Sequence, residues 1–323
     1  MNVIGIDIGG TKCAVAYGRV DDNGSIEIVD KIKFDTAKVD ETIDNLLETT
    51  TTIMQKHGLN AGNTSAIGIS CGGPLDSKKG MIMSPPNLPG WDNIPIVTYF
   101  EKRFGVKTAV QNDANACALA EWKFGAARGY NNVIFMTFGT GMGAGLILDG
   151  RLYAGTNDNA GEVGHIRLEK TGPVGYGKAG SFEGFCSGGG IAQLARVKVL
   201  EKLQMGEPVS FCNNMNELGN LTAKTVAEAA GAGDPLAIEI YSECAHYLGK
   251  ALSIFIDVLN PEIIVLGSIY CRARSLIEPT MQEVIDSETI IHTRRVCKIV
   301  PAELGESIGD YAALSVAVNA LIS

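Results

Sequence analysis

The stretch from Val3 to Gly18, VIGIDIGGTKCAVAYG, constrains the fold more than any other part of the chain. Val3, Ile4, Ile6 and Ile8 make one short β-branched run, and Cys13 to Tyr17 make a second apolar run. Between them lie Gly9, Gly10, Thr11 and Lys12. Two such runs around a glycine pair predict strand, tight turn, strand. A Walker loop is excluded, because it opens into a helix and has the spacing GxxxxGK[ST]. A hairpin turn built on Gly9 and Gly10 can still present backbone N–H groups to an anion. Thr11 adds a hydroxyl and Lys12 a positive charge, and Asp7, at the strand end, can hold a hydrated Mg²⁺. For a glycine pair alone, an ordinary hairpin is the plainer reading.

The pattern occurs twice. Val133 to Gly150, VIFMTFGTGMGAGLILDG, is again an apolar run, a glycine turn (Gly139, Gly141, Gly143, Gly145) and an apolar run. This points to an internal duplication with two phosphate-facing turns. Gly139, Gly141 and Ala144 formally fit a dinucleotide fingerprint, but that fingerprint must open a helix. A strand and a turn follow here, so the dinucleotide site is rejected.

With 323 residues, 46% hydrophobic and 39 of them glycine, the chain has material for two globular α/β domains. A net charge of −9 argues against nucleic-acid and anionic-membrane surfaces. No apolar run reaches the ~18 residues of a membrane span. The first strand follows Met1-Asn2 directly, so no signal peptide is expected. The eight cysteines show no CxxC pairing and read as reduced thiols of a cytoplasmic protein.

Further along, strands are expected at 26–34, 65–71, 106–110, 262–266 and 296–300. Helices are expected at 39–57, 95–104, 114–124, 190–203, 234–259, 273–285 and 310–322. The loop Met81 to Asn93, MIMSPPNLPGWDN, is long and apolar, as loops that line a cleft are. Asp113 falls where a strand ends and a helix begins, and the helix dipole favours its ionised form there. A plain N-cap is the alternative for Asn112 and Asp113. Glu162 and His165 share a polar loop, and Glu183 follows a glycine-rich stretch. A carboxylate and a histidine beside a cleft could grip a polyol, although each alone is more often a satisfied polar residue.

Together these residues resemble the ROK family of repressors, open reading frames and sugar kinases. The resemblance runs nearly end to end through IGIDIGGTK, GISCGGPLD, PPNLPGW, QNDANACALAEW, FGTGMGAGLILDG, NAGEVGH, VLGS and GDYAALSVA. It implies the two-domain actin-like ATPase (sugar kinase/actin/heat-shock) α/β fold, with a cleft between the domains. The first domain would comprise residues 1–112 plus the C-terminal helix, about 308–323, and the second 113–307. The implied activity is ATP- and Mg²⁺-dependent phosphorylation of a hexose 6-hydroxyl, of glucokinase type, in a homodimer. Asp113 would be the general base, and Gly73, Asn87, Asn112, Glu162, His165 and Glu183 would bind the sugar. Asp7, Gly9, Gly10, Thr11, Lys12, Gly139, Thr140, Gly141 and Gly267 would bind the nucleotide, with Asp7 reaching Mg²⁺ through water.

Three departures from the family pattern stand out. Gln111 replaces a common Glu, and Gly267-Ser268 replaces a common glycine pair. ROK proteins carry CxCGxxGC after the GxxGH histidine; here the aligned residues Val174 to Ser181 read VGYGKAGS, with no cysteine. No structural zinc is expected, and packing of Tyr176 and Phe182 is expected to hold the loop instead. The alternatives are a kinase for fructose, mannose, allose or an N-acetylhexosamine, or a sugar-binding regulator without catalysis. A DNA-binding repressor is the weaker reading, because family repressors carry a helix-turn-helix ahead of the DIGGTK strand, where this acidic chain begins.

Overall fold

A computed structural model describes residues 1–322. Strands β1 (Asn2–Ile8) and β2 (Lys12–Val20) form the expected hairpin, with Ile8 opposite Cys13. The Gly9 N–H closes the turn on the Lys12 carbonyl at 3.1 Å. β3 (Ile26–Asp35) continues the sheet antiparallel. Helix α1 (Val39–Lys56) buries Ile43, Leu46, Ile53 and Met54, the stripe its 3.6-residue period predicts. β4 (Ala66–Cys71), buried at every residue, pairs parallel with β1. β5 (Leu75–Asp76) and β6 (Met81–Ile82) form a short ladder at the root of the proline-rich loop. Leu88 and Trp91 of that loop are buried in the core beneath the sheet and so anchor it. Then come α2 (Ile96–Phe104), β7 (Thr108–Asn112), parallel to β4, and α3 (Asp113–Phe124). The sheet order is β3-β2-β1-β4-β7.

The second hairpin consists of β8 (Val133–Phe138) and β9 (Met142–Leu148), followed by β10 (Arg151–Leu152). Next come β11 (Val174–Gly175), β12 (Lys178–Ala179), α4 (Phe182–Phe185) and α5 (Gly188–Gln204). They are followed by α6 (Ala223–Gly231), α7 (Pro235–Leu259) and β13 (Ile263–Leu266). The chain closes with α8 (Ile269–Glu288), α9 (Ile291–Arg294), β14 (Lys298–Pro301) and α10 (Ile308–Ala320). The second sheet runs β10-β9-β8-β13-β14, the same plan as the first: a hairpin on one side, crossover strands on the other.

Sequence reasoning missed α6, whose apolar period rests on alanines and Val226; a Thr222–Thr225 capping box starts it. It also began α8 at Ala273, where the helix bends (φ −118°), rather than at Ile269.

By contacts the chain forms two units. One comprises residues 1–135, 145–161 and the segment from Glu303 onward; the other comprises 136–144 and 162–302. This grouping puts α3 with the first unit, beyond the boundary at 112 expected from sequence, because α10 packs along α3 as well as across β1 and β4. Glycines permit that approach: a Cβ on Gly68 would lie 2.2 Å from the Ala313 oxygen, and one on Gly5 would lie 2.8 Å from the Leu314 nitrogen. Among the described residues, no helix is long and apolar enough to cross a membrane.

Candidate functional site

In the first unit, β1 ends at Ile8 with Asp7 one residue before, and the turn Gly9-Gly10 follows. A cavity of about 130 Å³ lies against it, lined by Asp7, Gly9, Gly10, Gly73, Asn87 and Asp113 among others. The turn and the proline-rich loop fit together without slack: a Cβ on Gly10 would lie 2.4 Å from the Asn87 carbonyl oxygen. Thr36 stiffens the turn, its hydroxyl donating to the Gly9 carbonyl at 2.7 Å and its N–H to the Thr11 carbonyl at 2.9 Å. Thr11 and Lys12 are exposed on the same turn.

Asn112, not Asp113, is the N-cap of α3: its side-chain oxygen accepts from the Asn115 N–H at 2.7 Å. Asp113 is therefore the first helical residue, its Oδ1 accepting from the Ala114 N–H at 2.8 Å. The plain N-cap reading thus belongs to Asn112 alone, and Asp113 lines the cavity.

Charge is crowded there. Burial raises the Asp7 carboxyl from its usual 3.8 to about 6, reinforced by repulsion from Asp310 and Asp113 and opposed by Lys31 and Lys33. Desolvation also raises Asp113, against the hydrogen bond from Ala114. Asp310, in the first turn of α10, pairs with Lys31 of β3, and a Cβ on Gly309 would lie 3.4 Å from Asp7 Oδ2. Sequence reasoning did not single out Lys31 or Asp310; the only signal was the position of Asp310 inside the terminal GDYAALSVA. Burial holds the nearby Cys71 and Cys117 thiols well above their usual range, so they stay neutral and inert.

In the second unit, the Gly139–Gly141 turn is closed by the Gly139 N–H on the Gly141 carbonyl at 3.1 Å. The Gly188 N–H donates to the Gly139 carbonyl at 2.8 Å, tying the turn to the start of α5. Gly267 lies at the end of β13, its N–H on the Met136 carbonyl at 3.0 Å. A Cβ on Gly139 would meet Ser268 Oγ at 3.5 Å, so this turn and Gly267-Ser268 are neighbours. Ser268 has φ +51°, a left-handed backbone that glycine adopts without cost, which accounts for the glycine pair common in the family pattern.

Glu183 is the hub of the second group. Its Oε2 accepts from the Met142 N–H at 3.0 Å, directly after the glycine turn. Gly164, between Glu162 and His165, fits between the Met142 carbonyl and the Glu183 Cβ, at 2.3 and 3.2 Å from where its own Cβ would be. Glu162 is exposed and precedes a short 3-10 turn, Val163–His165. The His165 ring meets the Tyr176 ring edge-on, centroids 4.9 Å apart.

The cysteine-free loop is held differently from the sequence expectation. Phe182 is buried against Phe255, but Tyr176 is 72% exposed and packs little. The loop is instead a hairpin, β11 and β12, turned by Tyr176 (φ +44°) and Gly177 (φ +75°). The Gln193 side chain completes it as a surrogate strand: its Oε1 accepts from the Val174 N–H at 3.0 Å and its Nε2 donates to the Val174 carbonyl at 2.8 Å.

The ROK family profile matches residues 3–319. A glucokinase of Halalkalibacterium halodurans is 33% identical over 86% of this chain and 84% of its own. An N-acetylglucosamine repressor of Escherichia coli O157:H7 is 32% identical over 76% of this chain and 59% of its own. Among solved structures, a ROK family glucokinase from Streptomyces griseus in complex with glucose and AMPPNP aligns with a TM-score of 0.74 at 28% identity, over 98% of this chain and 99% of that one. The two five-stranded α/β sheets of matching order are those of the actin-like ATPase fold. The chain belongs to the ROK family.

Proposed function

We propose that this protein is an ATP-dependent sugar kinase that phosphorylates the 6-hydroxyl of an aldohexose, of glucokinase type. The observation that carries the reading is one cavity that brings Asp113 together with Asp7 and the Gly9-Gly10 turn. The glucokinase relatives support it. Phosphoryl transfer to an alcohol needs positioning, charge neutralisation and a carboxylate to take the hydroxyl proton. Asp113, which lines the cavity, accepts that proton at a carboxylate oxygen. Asn87 and Asn112, with Gly73, position the sugar on this side. Glu162, His165 and Glu183 are further proposed sugar ligands.

The residues suit a nucleotide and its metal. Mg²⁺ keeps several waters and takes one or two carboxylates plus phosphate oxygens. Asp7, crowded by Asp310 and Asp113, supplies hard oxygen donors whose mutual repulsion a divalent cation relieves. When bound, the metal and nucleotide supply charge neutralisation and the transferable phosphoryl group. The turn Gly9 to Lys12 and the turn Gly139, Thr140 and Gly141 are the proposed phosphate-binding turns, with Gly267 near the adenosine.

A coupled assay of ADP formation with Mg²⁺, ATP and a panel of hexoses and N-acetylhexosamines tests this. ADP above background with at least one sugar, led by glucose, is expected. No ADP with any sugar refutes the kinase. The repressor relative supports a second reading, a sugar-binding regulator without catalysis; sugar binding by calorimetry without turnover would favour it.

A further inference from the structure

Glu121 is a buried acidic side chain that the proposed chemistry does not use. It lies in the last turn of α3, fully shielded from solvent. Its Oε2 accepts from the Ala126 N–H at 2.8 Å and the Glu303 N–H at 3.2 Å, and its Oε1 from the Leu304 N–H at 3.0 Å. A buried carboxylate is tolerated only when such donors replace its water. The pocket around it is shaped for it: a Cβ on Gly125 would lie 2.1 Å from Oε2.

The elements joined here, α3 and α10, carry two of the three acidic residues of the cluster, Asp113 and Asp310. Asp113 opens α3, eight residues before Glu121, a rise of about 12 Å along the helix. Glu303 and Leu304 begin the chain's return to the first unit, four residues before α10 starts at Ile308. The first turn of α10 places Gly309 against Asp7 and pairs Asp310 with Lys31. No side-chain cap holds that start: Ser307 makes no capping hydrogen bond. The glycine contacts at Gly5 and Gly68 set how closely α10 lies on the sheet. A fixed point at 303–304 sets how far it reaches along α3.

We propose that Glu121 is a positioning residue for the proposed phosphoryl transfer. Its carboxylate clasps the 303–304 backbone to α3, fixing Asp310 and the first turn of α10, which lies against Asp7, relative to Asp113. The inference rests on the kinase reading only for its kinetic consequence; the clasp itself is a statement about backbone order.

The test is Glu121→Gln, nearly the same shape with one acceptor oxygen lost and an amide facing backbone donors. In the folded variant, kcat should fall tenfold or more, because small misplacements of reacting groups are costly, while KM for the hexose stays within twofold. Amide hydrogen exchange across 303–312 should speed up at least tenfold, with strands β1 and β4 unchanged. A lower Tm with wild-type kcat at a temperature where both proteins are folded would make Glu121 merely structural and overturn the proposal. Should Glu121→Gln fail to fold, Glu121→Asp, which keeps the charge but draws the carboxylate back from 303–304, is read by the same two measurements. If the wild type phosphorylates no sugar, the kinase reading falls on its own. The exchange experiment then decides the clasp alone, and unchanged protection at 303–312 refutes it.

Discussion

Replacing Asp7 by asparagine tests the electrostatics of the cavity independently of turnover. In the folded chain the Asp7 carboxyl rises from 3.8 to about 6, through burial first and then repulsion from Asp310 and Asp113. The native state therefore holds this proton more tightly than the unfolded one. Stability from the neutral carboxyl is fully present below pH 3.8 and is lost as the pH rises through about 6. At about 1.4 kcal/mol for each tenfold change in proton affinity, the full loss is about 3 kcal/mol, of which about 2 falls between pH 4.5 and 8. The asparagine side chain has nearly the same shape and does not titrate. Its own packing merits cancel when the difference between variant and wild type at pH 8 is compared with that at pH 4.5. In metal-free buffer at low salt the variant should gain about 2 kcal/mol relative to wild type over that interval. For a chain of 323 residues that is a Tm gap about 3 °C wider at pH 8. Thermal unfolding followed by circular dichroism at the two pH values measures it. A gap independent of pH, or narrower at pH 8, would refute the account of Asp7. Added Mg²⁺ should close the gap by stabilising the wild type alone.

Asp113→Asn should lower kcat by about 10²–10⁴, the usual worth of a positioned base. Stability should change by less than about 1 kcal/mol, since Asn112 keeps the cap and the substituted amide oxygen still accepts from the Ala114 N–H; near wild-type turnover in steady-state assays would exclude the role of base. Gly68→Ala should destabilise by about 1–3 kcal/mol or more in urea unfolding, because its Cβ would fall 2.2 Å from backbone atoms of α10; a change under about 0.5 kcal/mol would show that α10 yields easily. Purified protein should carry no stoichiometric zinc by elemental analysis, since Val174, Tyr176 and Ser181 offer no thiolate and the hairpin closes through Gln193. One tightly bound zinc per chain would contradict this.

Much of the site was legible because its signals are local. A glycine-rich turn between two short apolar runs favours a hairpin, and both hairpins lie where the sequence puts them. Asn112-Asp113 sits at a strand end and helix start because polar caps and apolar periods change there. The proline-rich loop was readable as a cavity wall from its composition, and Asn87 and Leu88 do line the cavity. Helix α6 escaped, being only nine residues long with Val226 as its one large buried apolar side chain. The cysteine-free loop was read correctly as to its glycine turns and the packing of Phe182, and incorrectly as to Tyr176. Whether a tyrosine is buried depends on neighbours far away in the chain, and Tyr176 has few.

By itself, the sequence determined the two glycine turns, the strand–helix junction that presents Asp113, and the family, because each is a pattern of adjacent residues. Only the tertiary structure decided that Asp310 stands beside Asp7, from the opposite end of the chain, with Lys31 as its partner. It alone decided that Glu183 is bonded to Met142 and that Glu121 holds the start of the C-terminal segment. The reason is physical. Backbone propensity and periodicity act over one or two turns of chain, whereas the partner of a buried carboxylate is whatever donor the packing of α10 and α3 brings to it. Desolvation, which makes that pairing obligatory, exists only once the chain has folded.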